Sequence, residues 1–200
     1  MPDVFRRDRE LANLAPSFRG RVQRLLERLA SEELPFRMFE AFRTPVRQDW
    51  LYQQGRTRPG SVVTKARAWE SYHQYGLAAD FVLWLDGRWS WDAAGERASW
   101  WKRLHKLGRA LELEPVSFEM PHLQQAGLKL ADLKAGRLPE TGDESWWDTL
   151  EAAAAGWTGT PPSPVLPLPV ARPPLATHSR PVRSRRAARK PSRRRSRRSR

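Results

Sequence analysis

The chain has 200 residues, 40% of them hydrophobic, no Cys, and a formal net charge of +14. That suffices for one sizeable core, since a domain near 150 residues buries about 68–70% of its unfolded surface. The missing Cys excludes disulfide staples and thiolate metal sites. No apolar run approaches the ~20 residues of a membrane span.

The start, MPDVFRRDRELANL, lacks the apolar core of a secretory signal, so cytoplasmic synthesis without a signal peptide is expected. The charge is uneven. Thirteen of the 36 Lys and Arg lie beyond residue 170 with no acid among them, which leaves 23 basic residues against 22 acidic ones in 1–170. Three segments follow: a nearly neutral domain at 1–157, a Pro-rich spacer at 158–174 and an Arg-rich, disordered tail at 175–200. The stretch PPSPVLPLPVARPP at 161–174 cannot form a core and, at about 3.1 Å per residue, would span up to ~43 Å.

In chain order, Phe18, Val22, Leu25, Leu26 and Leu29 recur at helical spacing, predicting a helix over 16–30 with one buried face. Residues 36–42 read as a strand. Thr44 then caps a helix whose first position is Pro45 and which ends by Gly55. Residues 78–85 alternate as a strand, and Asp86-Gly87 turns it into a hairpin with Arg88-Trp89-Ser90-Trp91. Trp100, Trp101, Leu104 and Leu107 mark a helix ended by Gly108. Residues 144–155 give a closing helix. Strands lie beside helices with no βαβ repeat, so the fold class is α+β: a small antiparallel sheet with flanking helices. The ten Trp are expected mainly in the core, so none is taken as a site residue.

Two stretches carry chemistry: SYHQYGLAAD at 71–80 and EMPH at 119–122. They offer the imidazoles of His73 and His122, the Asp80 carboxylate and a spare acid, Glu119. Three such ligands with a fourth position open suit a hydrolytic zinc site. Zinc lowers the pKa of bound water from about 15.7 to about 7 and polarises a carbonyl, while a nearby carboxylate moves the protons. Pro121 argues against a regular helix here, so this is not the helical His-Glu-x-x-His arrangement. Only four His occur in the chain. His105 lies on a helical face and His178 in the tail, and both read as incidental.

The run FRTPVRQDWLYQQGRTRPGSVVTKARAWESYHQYGLAADF at 42–81, with FEMPHLQ at 118–124, resembles the VanY-like zinc peptidases. These comprise D-Ala-D-Ala carboxypeptidases and L-alanyl-D-glutamate endopeptidases, and QGRTRPG at 54–60 is closest to the phage endolysin branch of the latter. The resemblance spans roughly residues 10–130. It implies one Zn2+ per chain held by His73, Asp80 and His122, with Glu119 as general base and acid. It also implies that Arg43 stabilises an oxyanion or anchors a substrate carboxylate, and that Gln48 and Ser71 line the substrate groove. The sheet and its helices would then surround the zinc site. A Trp-Gly-Gly stretch common in the family is replaced here by LELEPV at 111–116, which bears on the substrate rim.

On this reading the protein is a monomeric zinc peptidase that cuts peptidoglycan stem peptides and reaches the cell wall after release, as a phage or prophage endolysin would. Two alternatives stand beside it. One is a D-Ala-D-Ala carboxypeptidase of wall remodelling. The other is a non-catalytic zinc domain carrying a basic tail for nucleic acid or envelope polymers. For the tail itself, attraction to anionic envelope polymers is preferred over nucleic-acid phosphates or simple solvation.

Overall fold

The computed structural model describes residues 4–139 and 144–167. The Arg-rich tail at 175–200 and the end of the spacer lie outside the described residues. The first long helix, α1 (Pro16–Ser31), starts with proline, whose missing N–H costs nothing there. It buries Phe18, Val22, Leu25 and Leu29, the stripe that its sequence spacing predicted. Strand β1 (Phe36–Glu40) follows, and Thr44 caps α2 (Pro45–Gln53) by accepting from the Arg47 amide at 3.2 Å.

The centre of the sheet is β2 (Ala78–Leu85), joined by the Asp86-Gly87 turn to β3 (Arg88–Ser90). Helix α3 (Arg97–Arg109) leads into β4 (Leu113–Val116) and β5 (Glu119–Gln125). The order is β1-β2-β5-β4, with β3 pairing β2 as well, and every pairing is antiparallel. Gly108 does not end α3 as its sequence suggested. It lies buried in the last turn, where an added Cβ would sit 3.2 Å from the Leu123 methyls, so the glycine serves close helix–sheet packing. Short α4 (Leu130–Lys134) and α5 (Glu144–Ala155) complete the domain.

One contiguous core joins α1, the sheet, α3 and α5, and takes in Trp69, Trp101, Trp146 and Trp147. Residues 158–167 run against this body. The Trp157 indole donates to the Pro161 carbonyl at 2.7 Å, the Ser163 hydroxyl to Ala154 at 2.8 Å, and Leu166 packs on the core. The described part of the spacer is therefore docked, in place of the free extension its composition suggested. No helix among the described residues is long and apolar enough to cross a membrane.

Two cross-strand registers position the site. Asp80 on β2 stands opposite Glu40 on β1 and opposite His122 on β5. Directly opposed residues in antiparallel pairs share a face. Three adjacent strands thus carry one polar row, Glu40–Asp80–His122, on a single side of the sheet.

Candidate metal centre

His73 enters from outside the sheet, on a single 3-10 turn, Tyr72–Tyr75. Ser71 caps that turn: its hydroxyl accepts from the His73 amide at 3.4 Å, and the Gln74 side chain accepts from the Ser71 amide at 3.0 Å. Gly76 ends it at φ 67°, where a Cβ would meet Trp146 Nε1 at 2.7 Å and the Asn13 carbonyl at 2.8 Å. Only glycine fits both the left-handed backbone and the space. The Trp146 indole donates to the Tyr75 carbonyl at 2.9 Å, so α5 clamps the turn that carries the first imidazole.

The three predicted ligands converge. Asp80 Oδ1 lies 3.2 Å from His73 Nε2 and 3.3 Å from His122 Nδ1, and the three donor atoms all fall within 4.8 Å of one another. Zinc bonds of about 2.0–2.2 Å in a tetrahedron require donor separations of roughly 3.3–3.6 Å; the His122 edge meets this and the His73 edge falls about 0.1 Å short of it. The remaining valences are directed. His73 Nδ1 donates to the Ala41 carbonyl at 2.6 Å, leaving Nε2 with its lone pair toward Asp80. His122 Nε2 donates to Gln124 Oε1 at 3.2 Å, leaving Nδ1 toward the same point. His122 Nδ1 is buried with no hydrogen-bond partner, 3.3 Å from Asp80 Oδ1. An orphaned imidazole nitrogen facing a carboxylate and a second imidazole is the donor set of a metal centre. The residues present fit a zinc ion.

Protonation agrees with that use. Burial, with the nearby Arg43 charge, lowers the His73 pKa and favours the neutral imidazole that ligation needs. Burial by itself would raise the Asp80 carboxyl, but His73, His122 and Arg43 outweigh it and hold the group well below its ordinary range. Asp80 divides its oxygens between two tasks: Oδ1 faces the imidazoles, and Oδ2 accepts from Arg43 Nη2 at 2.9 Å.

Arg43 follows β1 and is buried. Its Nη2 also donates to Glu40 Oε2 at 2.7 Å, and its Nη1 donates to Gln48 Oε1 at 3.1 Å. Three of five donors are spent on these contacts; Nε is buried without a partner. Glu40, only 2% exposed, also accepts from Arg47 Nε, so one carboxylate sits between two guanidiniums. The sequence reading passed over Glu40, and its strand gave no sign that this acid points inward.

Gln48 was expected along a groove, yet it is fully buried. Its carbonyl oxygen accepts from Arg43 and from Gln74 Nε2 at 3.1 Å, and its amide donates to the Ala66 carbonyl at 2.8 Å. It braces Arg43 against the turn that carries His73. Glu119 begins β5 and is a third exposed, with Oε2 3.7 Å from His122 Nδ1. His105 is tied to the Met120 carbonyl at 2.8 Å, outside the cluster.

Two hollows border this centre. One, about 330 Å³, includes Lys65, Ser71, Tyr72, Val116, His122 and Gln124 in its lining. The other, about 630 Å³, includes Phe5, Phe39, Trp50, Trp91, Asp80 and Met120. Arg43, Thr64, Phe118 and Glu119 line both.

No family model matches the chain. Over 82 residues the chain is 43% identical to the peptidoglycan L-alanyl-D-glutamate endopeptidase CwlK of Bacillus subtilis (strain 168). The resemblance to the VanY-like peptidases holds. The match covers 40% of this chain and 49% of the relative, so the chain spans about half the length of that curated protein. Among solved structures, the L,D-carboxypeptidase DacB from Streptococcus pneumonia aligns with a TM-score of 0.45 at 19% identity, over 67% of this chain and 77% of that one.

Proposed function

We propose that this chain is a zinc-dependent peptidase acting on peptidoglycan stem peptides, and that it cuts the bond between L-Ala and D-Glu. The observation that carries the reading is the convergence of His73, Asp80 and His122 beside a cleft that borders Glu119. The 43% identity to an L-alanyl-D-glutamate endopeptidase supports the same bond. So does the shape of the cleft. A carboxypeptidase needs a closed end that captures a terminal carboxylate, whereas an endopeptidase needs room on both sides of the reacting carbonyl. Two hollows are each lined in part by Glu119 and Arg43, which provides that room.

A zinc ion held by the three side chains would supply Lewis acidity and an activated water at neutral pH. Glu119, at the edge of the cleft, takes the proton from the attacking water and delivers it to the leaving amine. Arg43 lines both hollows and is pinned by Glu40, Asp80 and Gln48, so its charge is fixed before negative charge develops on the carbonyl oxygen. Ser71 acts through the turn it caps, and Gln48 acts through Arg43. Biologically, we propose an endolysin role on the strength of QGRTRPG at 54–60, with the basic tail drawn to anionic envelope polymers.

Turnover of purified peptidoglycan with and without a chelator tests the reading. Release of soluble peptide should stop on chelation and return with zinc, and Glu119→Gln should release it at least about 10²-fold more slowly. Chelator-insensitive release, or a fully active Glu119→Gln protein, would refute the assignment.

A further inference from the structure

The larger hollow poses a question that the catalytic residues leave open. Four Trp fill the core, yet Trp91 is 48% exposed, and Phe5 and Phe118, on the same hollow, are 70% and 61% exposed. Large aromatic rings gathered on one exposed surface mark a binding site more often than chance. Several of the neighbouring rings are already faced by cations. Arg7 lies over Phe39 at 4.3 Å and Arg58 over Trp50 at 3.8 Å. Trp91 meets Phe39 edge-on at 5.1 Å, and among the described residues no cation covers its face.

The substrate reading above supplies an occupant. In peptidoglycan the amino group of the first stem residue is acylated by the lactyl ether of a muramyl sugar. An enzyme that cuts after that residue has a single amino acid, about 3.6 Å of chain, between the reacting carbonyl and the lactyl group. The pyranose must therefore lie within the cleft. A pyranose offers a face of C–H bonds ringed by hydroxyls, which suits an open indole face with guanidinium donors nearby. The larger hollow provides both, with Arg7 among its lining residues. The smaller one has the cations Arg43 and Lys65 and the Ser71 hydroxyl beside the acids Glu70 and Glu119, and is assigned to the carboxyl-side D-Glu.

We infer that the larger hollow is a saccharide subsite in which Trp91 stacks on the sugar bearing the stem peptide, so that the substrate runs from sugar in the aromatic hollow to D-Glu in the hollow with Lys65. This rests on the endopeptidase reading and deepens it.

The test compares kcat/KM on two soluble substrates: a disaccharide-linked stem peptide, and the same peptide with its L-Ala amino group acetylated and no sugar. The wild type should prefer the sugar-bearing substrate. Trp91→Ala should cut that preference on the order of tenfold, mainly through KM, and Trp91→Phe should restore most of it. If Trp91→Ala lowers both substrates by the same factor, or neither, the subsite is overturned. A wild type that cleaves neither substrate would instead overturn the peptidase reading itself.

Discussion

Replacing Glu40 with Gln removes one charge from a deeply buried ionic cluster. Its carboxylate accepts from Arg43 Nη2 at 2.7 Å and from Arg47 Nε, and the side chains of all three residues are at most 10% exposed. Gln keeps the volume and one acceptor but leaves two guanidiniums facing each other, with Asp80 as the nearest remaining counter-charge. Breaking a buried pair by removing one partner typically costs about 3–5 kcal/mol, since the remaining charge is left uncompensated. Arg43 keeps Asp80 and Gln48, so the low end, about 3 kcal/mol, is expected here. For a domain of this size that is roughly a 6–12 °C drop in Tm.

The pH dependence carries a second check. Burial opposes ionisation of Glu40, but Arg43 and Arg47 outweigh it, and its folded pKa lies below the ordinary value. Its contribution to stability is then fully present above the unfolded carboxylate range and is lost as pH falls through the folded pKa. Wild type and Glu40→Gln should differ most near neutral pH and converge in acid. Urea unfolding of both proteins across that pH range measures it. A difference under about 1 kcal/mol at pH 7, or one that grows on acidification, would refute the reasoning.

Other outcomes follow from the same contacts. His73→Ala and His122→Ala should lose bound zinc by elemental analysis, whereas Glu119→Gln should retain it and lose about 10²–10⁴ of the rate. Gly76→Ala adds a Cβ 2.7 Å from Trp146 Nε1 at a left-handed φ, so thermal unfolding should show a loss of roughly 2–4 kcal/mol together with weaker zinc retention. A chain ended after Pro167 keeps the docked segment and should cleave soluble fragments at the full-length rate. Without the basic tail it should lyse whole cells less well at low salt, and the gap should close once the Debye length shortens to about 8 Å near 0.15 M.

Much of this was legible in the sequence because its signals were local. The apolar stripe of α1, the Thr44-Pro45 start of α2, the Asp86-Gly87 hairpin and the last helix were all read within a few residues of where they lie. His73, Asp80 and His122 were singled out through motif resemblance, and the structure brings the three together. The pairing that unites them was not legible: no local pattern says that β2 and β5 are neighbours with Asp80 facing His122. Glu40 was missed for a related reason. An acid at a strand end normally reads as solvated, and its two guanidinium partners come from the loop and helix that follow. Gln48 misled in the opposite direction, since an amide fully satisfied by Arg43, Gln74 and Ala66 has no reason to face a groove. For the spacer, composition predicted extension, whereas Trp157, Ser163 and Leu166 supply contacts that hold 158–167 against the body.

Mass spectrometry of peptidoglycan digested by the zinc-loaded protein tests the central claim most directly. The account predicts soluble stem peptides that begin at D-Glu and glycan strands that retain L-Ala, both formed at least about 10²-fold more slowly by Glu119→Gln. Free D-Ala with stem peptides still attached to glycan would contradict it and point to a carboxypeptidase.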